Sequence, residues 1–375
     1  MKLTNPFPEY GYFGAEYFCD REQETQTMIE ALLNGSNVTL MAPRRIGKTG
    51  LIHHVFEKMK ASDKHVQCFY VDIFSTKTFS QMVQFVANAV IGKLDTPSQS
   101  VKRKLNNFIA ALRPTLTPDP FSGLPTFSFT VVPEQARETL NQVFEYMKES
   151  EQQCYLAIDE FQQVSHYSEL GADSFIRSII QFIPNVHLIF SGSQQHLLAE
   201  MFMSPSHPFF NSSQIMTIKE IDVEKYRVFA NGFFKKQGRE IPEDVFAYLY
   251  NLVDGQTWYI QKILNRLYRT PHEELSKETV NRVIGIILGE QETHYQSNYN
   301  LLTENQAQLL TAIACEGVVS TPTSLDFILR YQLPAPSSVK LALKSLQDKE
   351  FVFQTPKGEY LVYDRFFGMW LKRLE

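Results

Sequence analysis

Lys48 and Thr49, which close the stretch Ser36-Asn-Val-Thr-Leu-Met-Ala-Pro-Arg-Arg-Ile-Gly-Lys-Thr-Gly50, are the residues best fitted to chemistry. A cation and a hydroxyl placed side by side behind a glycine suit a bound anion. Val38 and Leu40 alternate as a buried strand, Ala42 to Gly47 make a tight loop, and a helix runs from Thr49 onward. In that order, backbone N–H groups and a helix N-terminus converge on phosphate along Pro43, Arg44, Arg45, Ile46, Gly47, Lys48, Thr49 and Gly50. Lys48 then reaches the terminal phosphates and the Thr49 hydroxyl holds Mg²⁺. The match to G-x-x-x-x-G-K-[ST] departs at its first position, where Ala42 stands. That position turns the chain out of the strand, away from the phosphates, and tolerates a methyl group. Gly47, where the backbone passes closest to the ligand, is intact. The bland alternative is an ordinary strand-turn-helix with a surface lysine.

A second stretch decides between them. Gln153-Cys-Tyr-Leu-Ala-Ile-Asp-Glu160 is an apolar run ending in two carboxylates. Continuous apolar runs mark parallel strands buried on both faces, and their C-terminal ends open on the ligand crevice of an α/β sheet. Asp159 is placed to hold Mg²⁺ through water, and Glu160 to orient and deprotonate an attacking water. A third run, His187-Leu-Ile-Phe-Ser-Gly-Ser193, ends where a polar side chain, Ser193, senses a γ-phosphate; the competing reading is a Ser-Gly turn. Together these predict an ATP site of the kind with an additional catalytic strand between the two motifs.

The elements that must position these groups are legible along the chain. The 375 residues are enough for two or three domains, and a net charge of −5 argues against a strongly basic nucleic-acid binder. Four cysteines without metal-ligand spacing read as reduced core residues. With no apolar signal core and no membrane-length run, the expectation is a soluble cytoplasmic protein. The 29 phenylalanines and 17 tyrosines supply rings for interfaces as well as cores. After a Pro- and aromatic-rich strap to about residue 15, a helix is predicted to Leu33 with Asp20 as its N-cap. His53 and His54 read as packing or surface residues of the helix after the loop. Strand Val66 to Asp72 and helix Phe79 to Leu94 follow, then an insertion over 95–133, in which Thr126-Phe-Ser-Phe-Thr-Val alternates like a strand. From about Lys219 helices follow one another, and three helices and a Gly-turn hairpin after Leu301 match a winged helix-turn-helix module. The expected division is an α/β core over 1–218, a helical lid over 219–300 and a winged helix over 301–375.

With those motifs in hand, the chain resembles the archaeal-type ATPase family within the STAND branch of the AAA+ relatives, in particular its bacterial members. The resemblance rests on Phe18-Cys-Asp-Arg-Glu22, Pro43-Arg-Arg-Ile-Gly-Lys-Thr49, Ala157-Ile-Asp-Glu-Phe-Gln162 and Phe190-Ser-Gly-Ser193. It continues through Pro208-Phe-Phe210, Thr257-Trp-Tyr-Ile-Gln261 and Tyr363-Asp-Arg-Phe-Phe-Gly-Met-Trp370, nearly end to end. It implies a P-loop NTPase core with a parallel sheet in the order 5-1-4-3-2, a lid, a C-terminal winged helix, and ATP hydrolysis that switches the protein between states. Departures stand at Ala42, at Gly255-Gln-Thr257 in place of a lid Gly-x-Pro, and at Asn211-Ser-Ser213, where members carry an arginine. Trp258 or Tyr259 is then the adenine contact. Arg177 is the leading catalytic arginine, against the reading of a solvated helix arginine, and Arg21 contacts nucleotide from the N-terminal side.

Two functions compete. One is an ATP-hydrolysing switch, with Mg²⁺, gating an unknown protein partner. The other is an ATP-gated DNA-binding protein whose helix Ser337 to Lys349 offers Ser338, Lys340 and Lys344 to the major groove. Residues 301–375 carry eight basic residues against eight acids. Since DNA affinity comes largely from phosphate neutralisation, the switch is favoured.

Overall fold

The computed structural model describes residues 3–374 except 92, 95–112, 119–124, 151, 170, 271 and 356, so much of the expected 95–133 insertion lies outside the described residues. Two compact units result, Met1–Phe229 with Gln256–Trp258, and Ala230–Gly255 with Tyr259–Glu375.

The first unit is built on five parallel strands, β1 (Val38–Met41), β2 (Gln67–Asp72), β5 (Cys154–Asp159), β6 (Val186–Gly192) and β7 (Gln214–Thr217), in the order β2-β5-β6-β1-β7. Counted along the chain, this is the expected 5-1-4-3-2 order. Strand residues alternate between faces, and the core divides accordingly. Val38, Leu40, Tyr155, Ala157 and Ile189 pack with α1 (Glu22–Leu33) and α2 (Lys48–Ser62). Leu156, Ile158, Leu188 and Phe190 pack with α3 (Phe79–Val90), α4 (Ala136–Glu149), α5 (Ala172–Ile180) and α6 (Gln195–Met203). All six residues of β5 are buried, as a strand covered on both faces requires. Asn37 registers the sheet at its entry, its side chain accepting from Leu188 N at 2.8 Å and donating to Ser212 O at 3.3 Å.

Several boundaries differ from expectation. Helix α1 begins at Glu22, and its N-cap position is Arg21, not Asp20. Asp20 and Arg21 both take positive φ, 57° and 75°, so the chain turns sharply into the helix and the Asp20 carboxylate instead receives Lys225 Nζ at 2.8 Å. Helix α3 stops at Val90. His53 and His54 both flank Tyr12, in ring contacts of 6.3 and 5.9 Å. Burial holds both imidazoles below their ordinary pKa. Within the insertion, β3 (Arg113–Pro118) pairs antiparallel with β4 (Pro125–Thr130), and Asn88 Oδ1 accepts from Phe129 N at 2.8 Å.

The unit division falls inside α7 (Val223–Phe234) and α9 (Thr257–Tyr268). The second unit adds α8 (Glu243–Leu252), α10 (Lys277–Glu290), and α11 (Glu292–Asn300), which sequence reading did not separate. It continues with α12 (Glu304–Glu316), α13 (Leu325–Arg330), α14 (Pro336–Asp348), the hairpin β8 (Val352–Gln354) and β9 (Tyr360–Val362), and α15 (Arg365–Leu371). Val319 bridges Tyr360 and so adds a third segment to the wing. Helix α12 starts on a capping box of Thr303 and Gln306. Asp364 caps α15 by accepting from Phe366 N and Phe367 N at 3.0 and 3.1 Å. That cap aims Phe366 at Tyr259, 4.9 Å between centroids, and Phe367 and Trp370 at Tyr295. Among the described residues no helix is long and apolar enough to cross a membrane.

In the first unit, four rings close the core below β6: Phe209 lies 5.3, 5.3 and 5.0 Å from Phe161, Phe190 and Phe202. Phe209 is fully buried, whereas its neighbour Phe210 is 39% exposed. Phe209→Ala is expected to lower stability by ~3–5 kcal/mol and Phe210→Ala by no more than ~1 kcal/mol. Urea denaturation of both variants checks this; comparable losses would contradict the packing.

Candidate functional site: a nucleotide-binding loop

The loop after β1 is shaped by two left-handed residues, Arg45 at φ 66° and Gly47 at φ 99°. Its outward carbonyls are tied. Trp258 N donates to Arg45 O at 3.0 Å, while Thr257 Oγ1 and Arg21 Nη2 donate to Ile46 O at 3.2 and 3.4 Å. In a trans peptide the C=O and N–H point opposite ways, so tying these carbonyls turns the N–H groups of Ile46 and Gly47 to the other side. A Cβ at Gly47 would meet nothing within 4 Å, so it is the positive φ that demands glycine there. Ile46 is 1% exposed and anchors the loop in the core beside Ala42. Gly50 sits under Phe18, whose ring lies 3.4 Å from where its Cβ would be, so Gly50 answers to packing.

Lys48 opens α2 and is buried, its Nζ donating to Ala42 O and Pro43 O, both at 3.1 Å. Burial lowers its pKa, and the charges of Glu160 and Asp159 oppose that fall. Thr49 Oγ1 donates to Asp159 Oδ2 at 3.0 Å, and Tyr70 OH donates to the same oxygen at 2.6 Å. Burial first, then the Asp159 charge, pushes the Tyr70 phenol well above its ordinary pKa. Asp72, paired in register with Asp159, has its carboxyl raised by burial.

Glu160 follows β5 at φ 57°, which aims its side chain across the ends of the strands. Its Oε2 accepts from Ser193 Oγ at 2.7 Å, Ser193 N at 3.3 Å and Gln162 Nε2 at 2.5 Å. Arg44 Nε in turn donates to Ser193 Oγ at 3.2 Å, and the Arg44 guanidinium lies 5.2 Å from the Phe74 ring. The Arg45 guanidinium covers Trp258 at 4.5 Å. Lys48, Thr49, Asp159, Glu160, Ser193, Arg21 and Arg44 are therefore brought to one end of the sheet. Arg177 is not: its guanidinium donates to Gln181 one turn along α5, at 3.2 Å. Tyr259 is fully buried beneath Phe366 and receives Arg365 N on its hydroxyl, which withdraws it as an adenine contact.

Two residues at the site escaped sequence reading, Tyr70 and Gln162. The signal for Gln162 was its place two residues past Glu160; for Tyr70 it was the strand alternation that puts it on the Asp159 side. Gln162 also explains Gly192, where a Cβ would lie 2.0 Å from Gln162 Oε1 and 2.8 Å from Leu198 Cδ1.

A Mg-nucleotide fits these groups. A hydroxyl and carboxylate oxygens are hard donors of the kind Mg²⁺ takes alongside phosphate oxygens. Lys48, held by two neutral carbonyls, has a stronger partner in phosphate. Gly192→Ala is expected to cost ~1–3 kcal/mol by overpacking, and less in a Gln162→Ala background, where only the contact with the flexible end of Leu198 at 2.8 Å remains. A denaturation cycle over the four proteins checks it; additive costs would show that Gln162 is not what the glycine accommodates.

Comparison with known proteins agrees with this geometry. Residues 18–263 match the family described as an ATPase domain predominantly from Archaea, and residues 293–373 match a probable winged helix domain. An uncharacterized ATP-binding protein of Methanocaldococcus jannaschii is 29% identical over 161 residues, 39% of this chain and 43% of that protein, so the chain spans less than half the length of that relative. A Walker-type ATPase of Pyrococcus abyssi superposes with a TM-score of 0.66 at 15% identity, over 98% of this chain and 99% of that one. The Aeropyrum pernix ORC2 protein, in ADPNP–ADP complexes, gives 0.57 at 14%, over 98% and 97%. The Aeropyrum pernix ORC1 protein, in complex with DNA, gives 0.54 at 16%, over 98% and 94%. At such identities the structural likenesses show the fold, a P-loop NTPase. With the loop, both carboxylates and most of the chain inside the family match, the protein belongs to the ATPase domain family found predominantly in Archaea.

Proposed function

We propose that the chain is an Mg²⁺-dependent ATP-hydrolysing switch of the AAA+/STAND type, of the bacterial kind, whose nucleotide state is read by a protein partner. The observation that carries this is the Glu160 carboxylate held by Ser193 and Gln162 beside Lys48 and the Thr49–Asp159 pair. Thr49 and Asp159 would hold Mg²⁺, which supplies charge neutralisation on the phosphates. Lys48 exchanges its two carbonyls for phosphate oxygen, and the amides of Ile46 and Gly47 face the same anion. Glu160 takes the proton of the attacking water, with Gln162 and Ser193 fixing the angle of its carboxylate. Arg177, bound to Gln181, takes no part within one chain in this scheme.

Lys48→Ala is expected to weaken ATP binding ~10–100-fold, the worth of a lost charge-assisted bond. Glu160→Gln keeps ATP affinity and loses ~10²–10⁴-fold in turnover. Equilibrium binding of a fluorescent ATP analogue with phosphate release separates the two; equal affinity losses would remove Glu160 from the role of base.

A second reading, ATP-gated DNA binding, draws on the exposure of Lys340 and Lys344 along α14. Against it, Leu341 stands 72% exposed between them, and Arg330 is engaged by Glu316 and Asp326. In the DNA reading, changing Lys340 and Lys344 to Glu lowers the slope of log affinity against log salt by about two. The switch reading expects no duplex binding at physiological salt for that change to weaken, and fluorescence anisotropy with labelled duplex decides.

A further inference from the structure

The Asp159 carboxylate is held by three donors. Oδ1 accepts from Glu160 N at 3.0 Å, and Oδ2 accepts from Thr49 Oγ1 at 3.0 Å and from Tyr70 OH at 2.6 Å. The first is the next amide of the same chain and the second comes from the loop's own helix. Only Tyr70 reaches the carboxylate from a different strand. Register explains how: Tyr70 pairs with Ala157, two residues before Asp159, so Tyr70, Ala157 and Asp159 share one face of the sheet.

The phenol is itself held in place. Its ring packs on His53 with centroids 4.7 Å apart, and His53 is stacked on Tyr12 at 6.3 Å and 17° between planes. Tyr12 is fixed in turn, its hydroxyl bonded to Glu57 and lying 2.8 Å from His54 Nδ1. A column of three rings thus runs from the N-terminal strap to the carboxylate.

We infer that Tyr70 is a positioning residue for the divalent cation of the nucleotide site, acting by fixing the Asp159 carboxylate beside the Thr49 hydroxyl. The inference rests on reading the loop as an Mg-nucleotide site. Outer hydrogen-bond partners of metal-binding carboxylates orient the ligand oxygen, and losing one costs ~10–100-fold in metal affinity. Tyr70 touches neither nucleotide nor reacting atoms in this account.

Tyr70→Phe removes the hydroxyl and keeps the ring on His53. In the full-length protein saturated with ADP, Mn²⁺ affinity is measured by the electron paramagnetic resonance of free Mn²⁺, and ADP affinity separately in EDTA. Tyr70→Phe is expected to bind Mn²⁺ at least ~10-fold more weakly, with ADP affinity in EDTA unchanged. Equal Mn²⁺ affinity in variant and wild type overturns the inference and leaves the nucleotide-site reading standing, as does a lowered melting temperature alone. A parallel loss of ADP affinity in EDTA also overturns it, since the phenol would then act on the loop. If the wild type binds no Mn²⁺ with ADP, the site reading and the inference fall together.

Discussion

An ammonium group taken out of water needs dipoles or opposite charge around it, and the site is arranged to supply both to Lys48. Its Nζ sits between the carbonyls of Ala42 and Pro43. That position exists only if β1 ends at Met41, the loop turns left-handed at Arg45 and Gly47, and α2 begins at Lys48 itself. The carboxylates that offset its burial stand at the end of β5, one strand removed from β1 across β6. The strand order, the loop and the acidic pair thus meet at one buried cation.

Much of this was legible in the sequence because it follows from periodicity and local geometry. Alternation around Val38 and Leu40 marked β1, apolar runs marked β5 and β6 as buried strands, and the strand order followed once the resemblance was in place. Ala42 is instructive: as the first loop position its side chain is 1% exposed within the core, so a methyl is accommodated for a packing reason. What escaped depends on contacts across the chain. Tyr70 and Asp159 are 89 residues apart and meet only through strand register. Gln162 looked like the tail of a motif until Gly192 left it space. Asp20 had the right residue type for an N-cap, yet a tertiary partner, Lys225, took its carboxylate and the backbone turned instead at Arg21. Composition suggested two uses for the rings without assigning them. Phe161, Phe190, Phe202 and Phe209 close the core of the first unit, while Phe366, Phe367 and Trp370 seat α15 on Tyr259 and Tyr295 in the second.

The site holds its two carboxylates by separate sets of donors. Asp159 is held by Thr49, Tyr70 and the amide of Glu160. Glu160, Ser193 and Arg44 form a chain in which the serine hydroxyl has a single proton to give, now spent on Glu160. On the proposed function, a phosphate oxygen that claimed that proton would release one of the three donors on Glu160, linking occupancy of the loop to the setting of that carboxylate.

The tie between Thr257 and Ile46 spans 211 residues of sequence, and this has a meaning for synthesis. The phosphate loop leaves the ribosome with Arg21 already made, but long before Thr257 and Trp258, which supply the other two ties to its carbonyls. At ~5–20 residues per second, a nascent chain spends tens of seconds with strand β1 and helix α2 made but the ties from Thr257 and Trp258 still missing. Two of the three ties on the loop therefore form late in the maturation of each molecule. A chain truncated before Thr257 has the whole motif and, of the three ties, keeps only the one from Arg21.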